Sequence, residues 1–241
     1  LACAHAMQQA IVPFARLEVG NEVFSISVKI GVGYGPALFL TVGDQASDME
    51  SVLAGHALDD ATAAETHASR DQVVLAPSAR SLLPVNLQPP TSNLQSQILN
   101  GFYVSPSLEH DVALLPPCGD PLSGLDEATQ ERVLRALFPY LPQSIYDRLL
   151  LAGGDLPGDY RRVTNLFVFF DGLDFAASDI GEKAQAYYRW AHAIVDRYGG
   201  RLIRMLADDK GAGLHILFGA PDKHDDDPAR GLRCALALQR D

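Results

Sequence analysis

The sequence is short of positive charge: 19 Lys and Arg stand against 30 Asp and Glu in 241 residues, a formal net charge of −11. A nucleic-acid groove or an anionic membrane surface needs basic patches, so neither is an expected partner, whereas a local cluster can still hold a small anion. Cysteine is scarce. Cys3, Cys118 and Cys234 are odd in number, far apart and without a CxxC, so they exclude a disulfide or zinc framework and read as buried apolar thiols in a reducing compartment. No apolar run nears membrane-spanning length and no signal peptide opens the chain, which makes the expected location cytoplasmic. The seven histidines lack HxxxH and HExxH spacing, which argues against zinc. Gly31, Gly33 and Gly35 precede no helix and so form no phosphate loop. Ser78 and Ser144 lack a nucleophile elbow.

What is present begins with a repeat. Leu1, Cys3, Ala4, Ala6 and Gln8 recur as Leu232, Cys234, Ala235, Ala237 and Gln239 at a helical spacing. Such self-similarity reads as one period cut from a tandem pair, opening in the last part of one copy and closing in the first part of the next. The absent initiator Met and the stop inside a helix accord with a fragment.

Three stretches differ in character. Residues 1–83 form an α/β unit: a helix from Leu1 to Phe14, a strand from Ser25 to Val32, a turn at 33–36 and a second strand from Ala37 to Val42, together a hairpin. A short strand at Ser51–Ala54, a helix over Ala57–Ala68 and a strand at Gln72–Ala76 follow, with Pro77 opening a short helix. Residues 84–161 form a connector. Seven of the fifteen prolines fall between Pro84 and Gly124, which makes this part irregular and semi-rigid. Ile98, Leu99, Phe102, Tyr103, Leu114 and Leu115 are too apolar for a free linker, so it packs against something. Helices are expected at Glu127–Phe138 and Gln143–Leu151.

Residues 162–241 carry the clearest pattern. Val163–Phe170 is a continuous apolar strand, as when both sheet faces are covered. A helix runs from Asp179 to Tyr198, capped by Asp179 and closed by Gly199. Strands at Arg201–Leu206 and Gly213–Phe218 bracket a polar tip, Ala207–Ala212. Asp225, Asp226 and Asp227 then lead into a helix whose dipole favours them.

The segments VTNLFVFFDGLDF (163–175), RYGGRLIRMLADDKGAGLHILFGAP (197–221) and DDDPARGLRCALALQ (225–239) together resemble the class III nucleotidyl cyclase homology domain. In the first block, VKIGVGYGPALFLTVGD (28–44) resembles the central hairpin of that domain, and residues 51–83 resemble the segment bearing its second set of ligand contacts. Asp209-Lys210-Gly211 and Leu58-Asp59-Asp60 place the likeness nearest the soluble, bicarbonate-responsive type with tandem cyclase domains. The resemblance implies an α+β fold, an α/β sandwich of ferredoxin-like cyclase type, assembled from two half-domains plus the Pro-rich connector. Residues 1–83 would be the rear half of a first domain and 162–241 the front half of a second. Both ends are then expected to build one sheet, within a chain or swapped between chains.

In such domains one partner supplies two metal-binding aspartates, and the other a purine-reading lysine and a transition-state arginine. Mg²⁺ or Mn²⁺ ions hold the triphosphate and activate the ribose 3′-hydroxyl. The first aspartate falls where this chain has Phe169, whose ring cannot ligate a hard cation. The second falls at Asp208 or, the hairpin being long, at Asp209. Asp171, two residues beyond Phe169, is an alternative donor if the strand continues; otherwise Asp171 and Asp174 are turn acids. The second domain thus resembles the non-metal partner, with no cofactor expected in this chain alone and no catalytic residue assigned to it. Arg204 stands at the purine-reading position, with a surface ion pair as its alternative role, and Lys210 meets phosphate or merely solvates a turn. Leu53, Asp59, Thr62 and Phe169 correspond to the degenerate second site. Thr62 replaces the family's bicarbonate-binding arginine, and no basic residue lies between Lys29 and Arg70. His215 reads as a satisfied sheet residue.

The resemblance implies part of a soluble adenylyl cyclase-like protein converting ATP to cyclic AMP and pyrophosphate. Its partners would be ATP and the complementary half-domains or a second copy. The rival is a catalytically inactive cyclase-like module for dimerisation or ligand sensing.

Overall fold

The computed structural model describes residues 1–44, 48–83, 101–105, 119–141, 143–151, 158, 160–208 and 211–240. Helices and strands are mixed in an α+β arrangement. The chain divides into two compact units. One holds Leu1–Ala37 and Ala54–Cys118; the other holds Leu38–Leu53 and Gly119–Asp241.

In the first unit, α1 (Ala2–Ile11) leads into a 3-10 turn at Val12–Phe14 and a small antiparallel ribbon, β1 (Leu17–Val19) and β2 (Glu22–Phe24). β3 (Ile30–Val32) runs parallel to β6 (Val73–Leu75), which pairs antiparallel with β7 (Tyr103–Val104). α2 (His56–His67) lies directly on β3 because Gly31 and Gly33 offer no side chains: a Cβ on Gly31 would sit 2.1 Å from the Ala61 carbonyl oxygen. Ala64, Ala68, Val74 and Ala76 form a core beneath Phe102 and Val104. Pro77 opens the short α3 (Pro77–Arg80) at its first turn, as expected. Tyr103, from the connector, is 2% exposed and packs with Leu75 and Ala79. Phe102 and Tyr103 thus meet the expectation of packing; Ile98, Leu99, Leu114 and Leu115 lie outside the described residues.

The second unit is built on an antiparallel sheet of order β8-β10-β9: β8 (Thr164–Phe170), β9 (Arg201–Asp208) and β10 (Gly211–Phe218). α6 (Ile180–Arg197) and α7 (Asp227–Arg240) cover one face, over Leu202, Met205, Leu214, Ile216 and Phe218. Gly199, with φ +68°, ends α6, and Gly200 lets the Phe218 ring lie against the backbone; a Cβ there would meet the ring at 2.5 Å. That contact ties the RYGG segment to the FGAP segment. α4 (Glu127–Leu137) and α5 (Gln143–Leu151) occupy the expected places. A two-stranded arm, β4 (Leu38–Val42) and β5 (Glu50–Ala54), packs on α6 and buries Val42 and Val52.

Several expectations are corrected. The strands at 25–32 and 37–42 do not form a hairpin: β3 pairs with β6 and β4 with β5, because the glycines commit β3 to α2. The single sheet drawn from both ends does not form among the described residues, since β8, β9 and β10 satisfy one another. Of the first block, residues 38–53 alone fall in the same compact unit as the last block. β8 is not covered on both faces, for Phe167 and Phe169 are 55% and 59% exposed. β9 and β10 run two residues further into the tip than expected, the buried Ala207 and Ala212 continuing the ladder as a pair. Asp179 makes no capping hydrogen bond and pairs instead with Lys183 at 2.9 Å. Cys234 is buried but its repeat counterpart Cys3 is exposed, so the shared phrase does not carry a shared burial pattern. Cys118 lies outside the described residues.

Candidate functional site

The uncovered face of the β8-β10-β9 sheet carries two cross-strand rows, Phe169, Gly213 and Leu206, then Phe167, His215 and Arg204, with Asn165 beyond them on β8. Alternation along β8 and β10 puts their residues opposite the helices. A register shift on β9 between Arg204 and Leu202 takes Arg201 out of that alternation, so that it pairs with Asp48 of the arm. Phe167 stacks on His215 with centroids 4.5 Å apart and planes within 5°. His215 Nε2 lies 3.0 Å from Asn165 Oδ1, so it is the satisfied sheet residue expected. The Phe169 ring lies against Gly213, whose added Cβ would meet it at 3.4 Å. This is an aromatic face with a guanidinium at one edge.

Arg204 projects from β9 as an exposed side chain. Its charge lowers the pKa of Glu50 on the arm, while half-burial raises that pKa and prevails, leaving the carboxyl above its ordinary value. Asp208 closes β9 opposite Gly211; Asp209 and Lys210 lie outside the described residues. β8 ends at Phe170, so Asp171 does not extend the strand, contrary to the possibility raised for it. Asp174 accepts the Ala176 N–H at 2.9 Å and is a turn acid.

The residues matched to the degenerate second site fall in both units. Leu53, 47% exposed on β5, and Phe169 belong to the second; Asp59 and Thr62 belong to the first. Asp59 lies in the first turn of α2, where its charge opposes the exposed N–H groups. The Thr62 carbonyl accepts the Thr66 hydroxyl at 3.0 Å. Asp60 accepts a short hydrogen bond from Ser78, whose hydroxyl oxygen also accepts the Tyr34 N–H at 3.3 Å. Asp60 therefore fastens α2 to α3 and the β3 turn.

Sequence reasoning missed the polar fastening of the arm to α6 and β9. The Gln185 side chain bonds both backbone groups of Gly43, accepting its N–H at 2.8 Å and donating to its carbonyl at 3.0 Å. Arg189 pairs with Asp44, and Arg201 with Asp48 at 2.7 Å. The Tyr188 hydroxyl donates to the Asp48 carbonyl at 3.4 Å. Burial, with help from Glu50 and Asp48, pushes the Tyr188 phenol far above its ordinary pKa. The available signal was Gln185, Tyr188 and Arg189 on one helical face, i, i+3 and i+4.

The residues on this face do not fit a two-metal centre. Phe169, at the position the resemblance gives to a metal-binding aspartate, carries a hydrocarbon ring, and among the described residues no three of His, Cys, Asp or Glu come together to hold an ion. No described helix is long and apolar enough to cross a membrane.

The fold and sheet face are those of an α+β protein, and its similarity is to a cyclase. The chain is 25% identical over 243 residues to human adenylate cyclase type 10, with 90% of this chain aligned. It spans 14% of the length of that protein. No family model matches the chain.

Proposed function

We propose that this chain is part of a soluble adenylyl cyclase-like protein and carries the non-metal-binding elements of a site formed between two cyclase domains. The carrying observation is the 25% identity across 90% of the chain, joined to an exposed arginine beside an aromatic face where metal ligands would stand in the other partner. In the parent reaction the ribose 3′-oxygen attacks the α-phosphorus of ATP. The bond to the leaving pyrophosphate breaks with its electron pair, and the hydroxyl proton passes to solvent. Arg204 contributes binding: its fork donates to a purine acceptor. The rear-half element is residues 1–83, the connector 84–161 and the front-half element 162–241. Divalent metal, if used, is held by the partner domain, and no step here passes through it.

The test is cyclic AMP formation by the longer protein, wild type against Arg204→Ala, across ATP concentrations. Loss of a charge-assisted hydrogen bond costs about 1.5–3 kcal/mol, or one to two decades in kcat/KM. Unchanged kinetics in an active enzyme remove Arg204 from the site. Phe169, Arg204 and Thr62, each departing from the residue the resemblance leads one to expect there, favour the second reading, a catalytically inactive module. Wild-type protein that forms no cyclic AMP from ATP with either Mg²⁺ or Mn²⁺ supports that reading.

A further inference from the structure

Leu134, Leu137, Phe138 and Leu141 follow one another at i, i+3, i+4 and i+7, the spacing of one helical face. Such a stripe ordinarily lies on a core. Here no residue of α4 is buried, and Leu134 and Leu137 are each 54% exposed. Pro139 has no N–H to continue the ladder, and α4 gives way to a 3-10 turn at Phe138–Tyr140. α5 then returns beside the turn, and Tyr146 meets the Phe138 ring edge-on with centroids 4.7 Å apart. Between them lies a cleft of about 580 Å³, walled by leucines and aromatic rings.

Size and charge narrow what can occupy it. A volume of this order is that of a small-molecule site, about 300–1,000 Å³. Eight residues, all between Glu131 and Tyr146, line the cleft, whereas a stable protein interface uses about 20–30 residues a side. The charged residues on its rim, Glu131 and Arg135, pair with each other at 2.6 Å. The cleft therefore favours neither an anion nor a cation. The Phe138–Tyr146 pair leaves an edge and a face on which a third ring can pack.

The same turn also holds the arm. The Pro139 carbonyl accepts the Met49 N–H at 3.0 Å, and the Tyr140 hydroxyl donates to the Thr41 hydroxyl oxygen at 3.4 Å. Phe138 and Tyr140 line the cleft on either side of Pro139, so a ligand that fixes their rings also fixes the carbonyl that Met49 bonds. We propose that the cleft between α4 and α5 binds an uncharged aromatic small molecule, and that its occupancy steadies the arm through Pro139 and Tyr140. A segment opens less often when the contacts that hold it are themselves held. The binding involves no nucleotide, so its failure and failure of the cyclase reading are separate results.

Nile red, an uncharged aromatic dye that brightens in apolar surroundings, is the probe. Titrated into wild type, it should give a saturable curve with one dye per chain. Two variants locate it. Leu134→Trp fills the cleft while enlarging the apolar surface, and Leu137→Gln makes its wall polar. Neither position is buried, so both variants should fold and melt as wild type does. Each should weaken dye binding about tenfold or more. A wild type that binds no dye overturns the proposal, and so does dye held equally well by Leu134→Trp, which would then lie on another apolar surface. A wild type that light scattering shows as a dimer, separated by Leu137→Gln, would make the cleft a face between copies and also overturns it. Hydrogen exchange on peptides covering residues 48–54 reads the link to the arm. Saturating dye should slow that exchange severalfold in wild type and leave it unchanged in Leu134→Trp. Unchanged exchange in wild type that has bound the dye overturns the link.

Discussion

Replacing Gly31 by alanine tests how closely α2 is pressed onto β3. The new Cβ would stand 2.1 Å from the Ala61 carbonyl oxygen, 2.3 Å from the Glu65 nitrogen and 2.9 Å from the Glu65 Cα. All three are backbone atoms, so no rotamer change relieves the contact. Non-bonded heavy atoms settle about 3.5 Å apart or more, so the helix must retreat by roughly 1 Å. That loosens Ala64 and Val74, both fully buried. Overpacking costs about 1–3 kcal/mol, and rigid backbone on one side puts this case near the top of that range. Alanine in a strand recovers about 0.5–1 kcal/mol relative to glycine, leaving a net loss of about 2 kcal/mol. Gly181→Ala is the control: it lies in α6 with nothing within 4 Å of a new Cβ, so it should gain about 0.5–1 kcal/mol. Two units need not unfold together, so the assay is hydrogen exchange followed on peptides from α2 and β6. Gly31→Ala should speed their exchange by one to two decades, at about 1.4 kcal/mol per decade. Equal protection in the two variants would refute the close approach.

Other expectations concern single groups. Glu50 has a folded-state pKa raised above 4.5, chiefly by burial. Below pH 4.5 both folded and unfolded chains hold the proton; as pH rises through the raised value the folded chain must ionise in a poor site and loses stability. Glu50→Gln should therefore melt higher than wild type at pH 7 and equally at pH 4; a lower melting temperature at pH 7 would show that attraction to Arg204 outweighs burial. His5 is buried, with Nε2 3.0 Å from the Ser105 hydroxyl and Nδ1 3.2 Å from Gln8, and burial lowers its pKa below 6.5. The unfolded chain takes up the proton first as pH falls below 6.5, so stability should drop towards pH 5 in wild type and drop less in His5→Phe; parallel melting curves refute this. On the exposed face of β9, Arg204→Ala should alter stability by about 0.5 kcal/mol or less in urea unfolding, in contrast to its expected effect on nucleotide.

Local structure was legible where a physical signal is local. The VVL run of β6, the Ala-rich α2, Pro77 at the start of α3 and the amphipathic stripe of α6 all emerged from period and propensity. So did the strand order after residue 162, because glycines and turns punctuate it. Pairing was less legible. Gly33 to Pro36 reads as a hairpin turn, but what those glycines serve is contact with α2, a neighbour that sequence spacing does not name. The arm's place was invisible for a related reason: Arg189 and Arg201 look like solvated charges until Asp44 and Asp48, some 150 residues earlier, are set against them. Of the candidate site, Phe169, Arg204 and His215 were assigned to strands correctly, but their sharing one face follows only from the strand pairing. Whether that face was covered depends on tertiary packing, which a continuous apolar run such as Phe167 to Phe170 leaves undecided.

The arm also sets an order in time. Residues 38–53 are synthesised some 144 residues before α6 is complete, a delay of roughly 7 to 29 s at ordinary rates of synthesis. Through that interval Val42 and Val52, which end fully buried, have no helix to lie on. A bare two-stranded segment of this kind is an invitation to non-native pairing. Asp44, Asp48 and Glu50 then act before their arginines exist, as gatekeeping charges that keep the nascent strands apart from others. Neutralising all three should lower the yield of soluble protein during expression more than it lowers the stability of protein already folded.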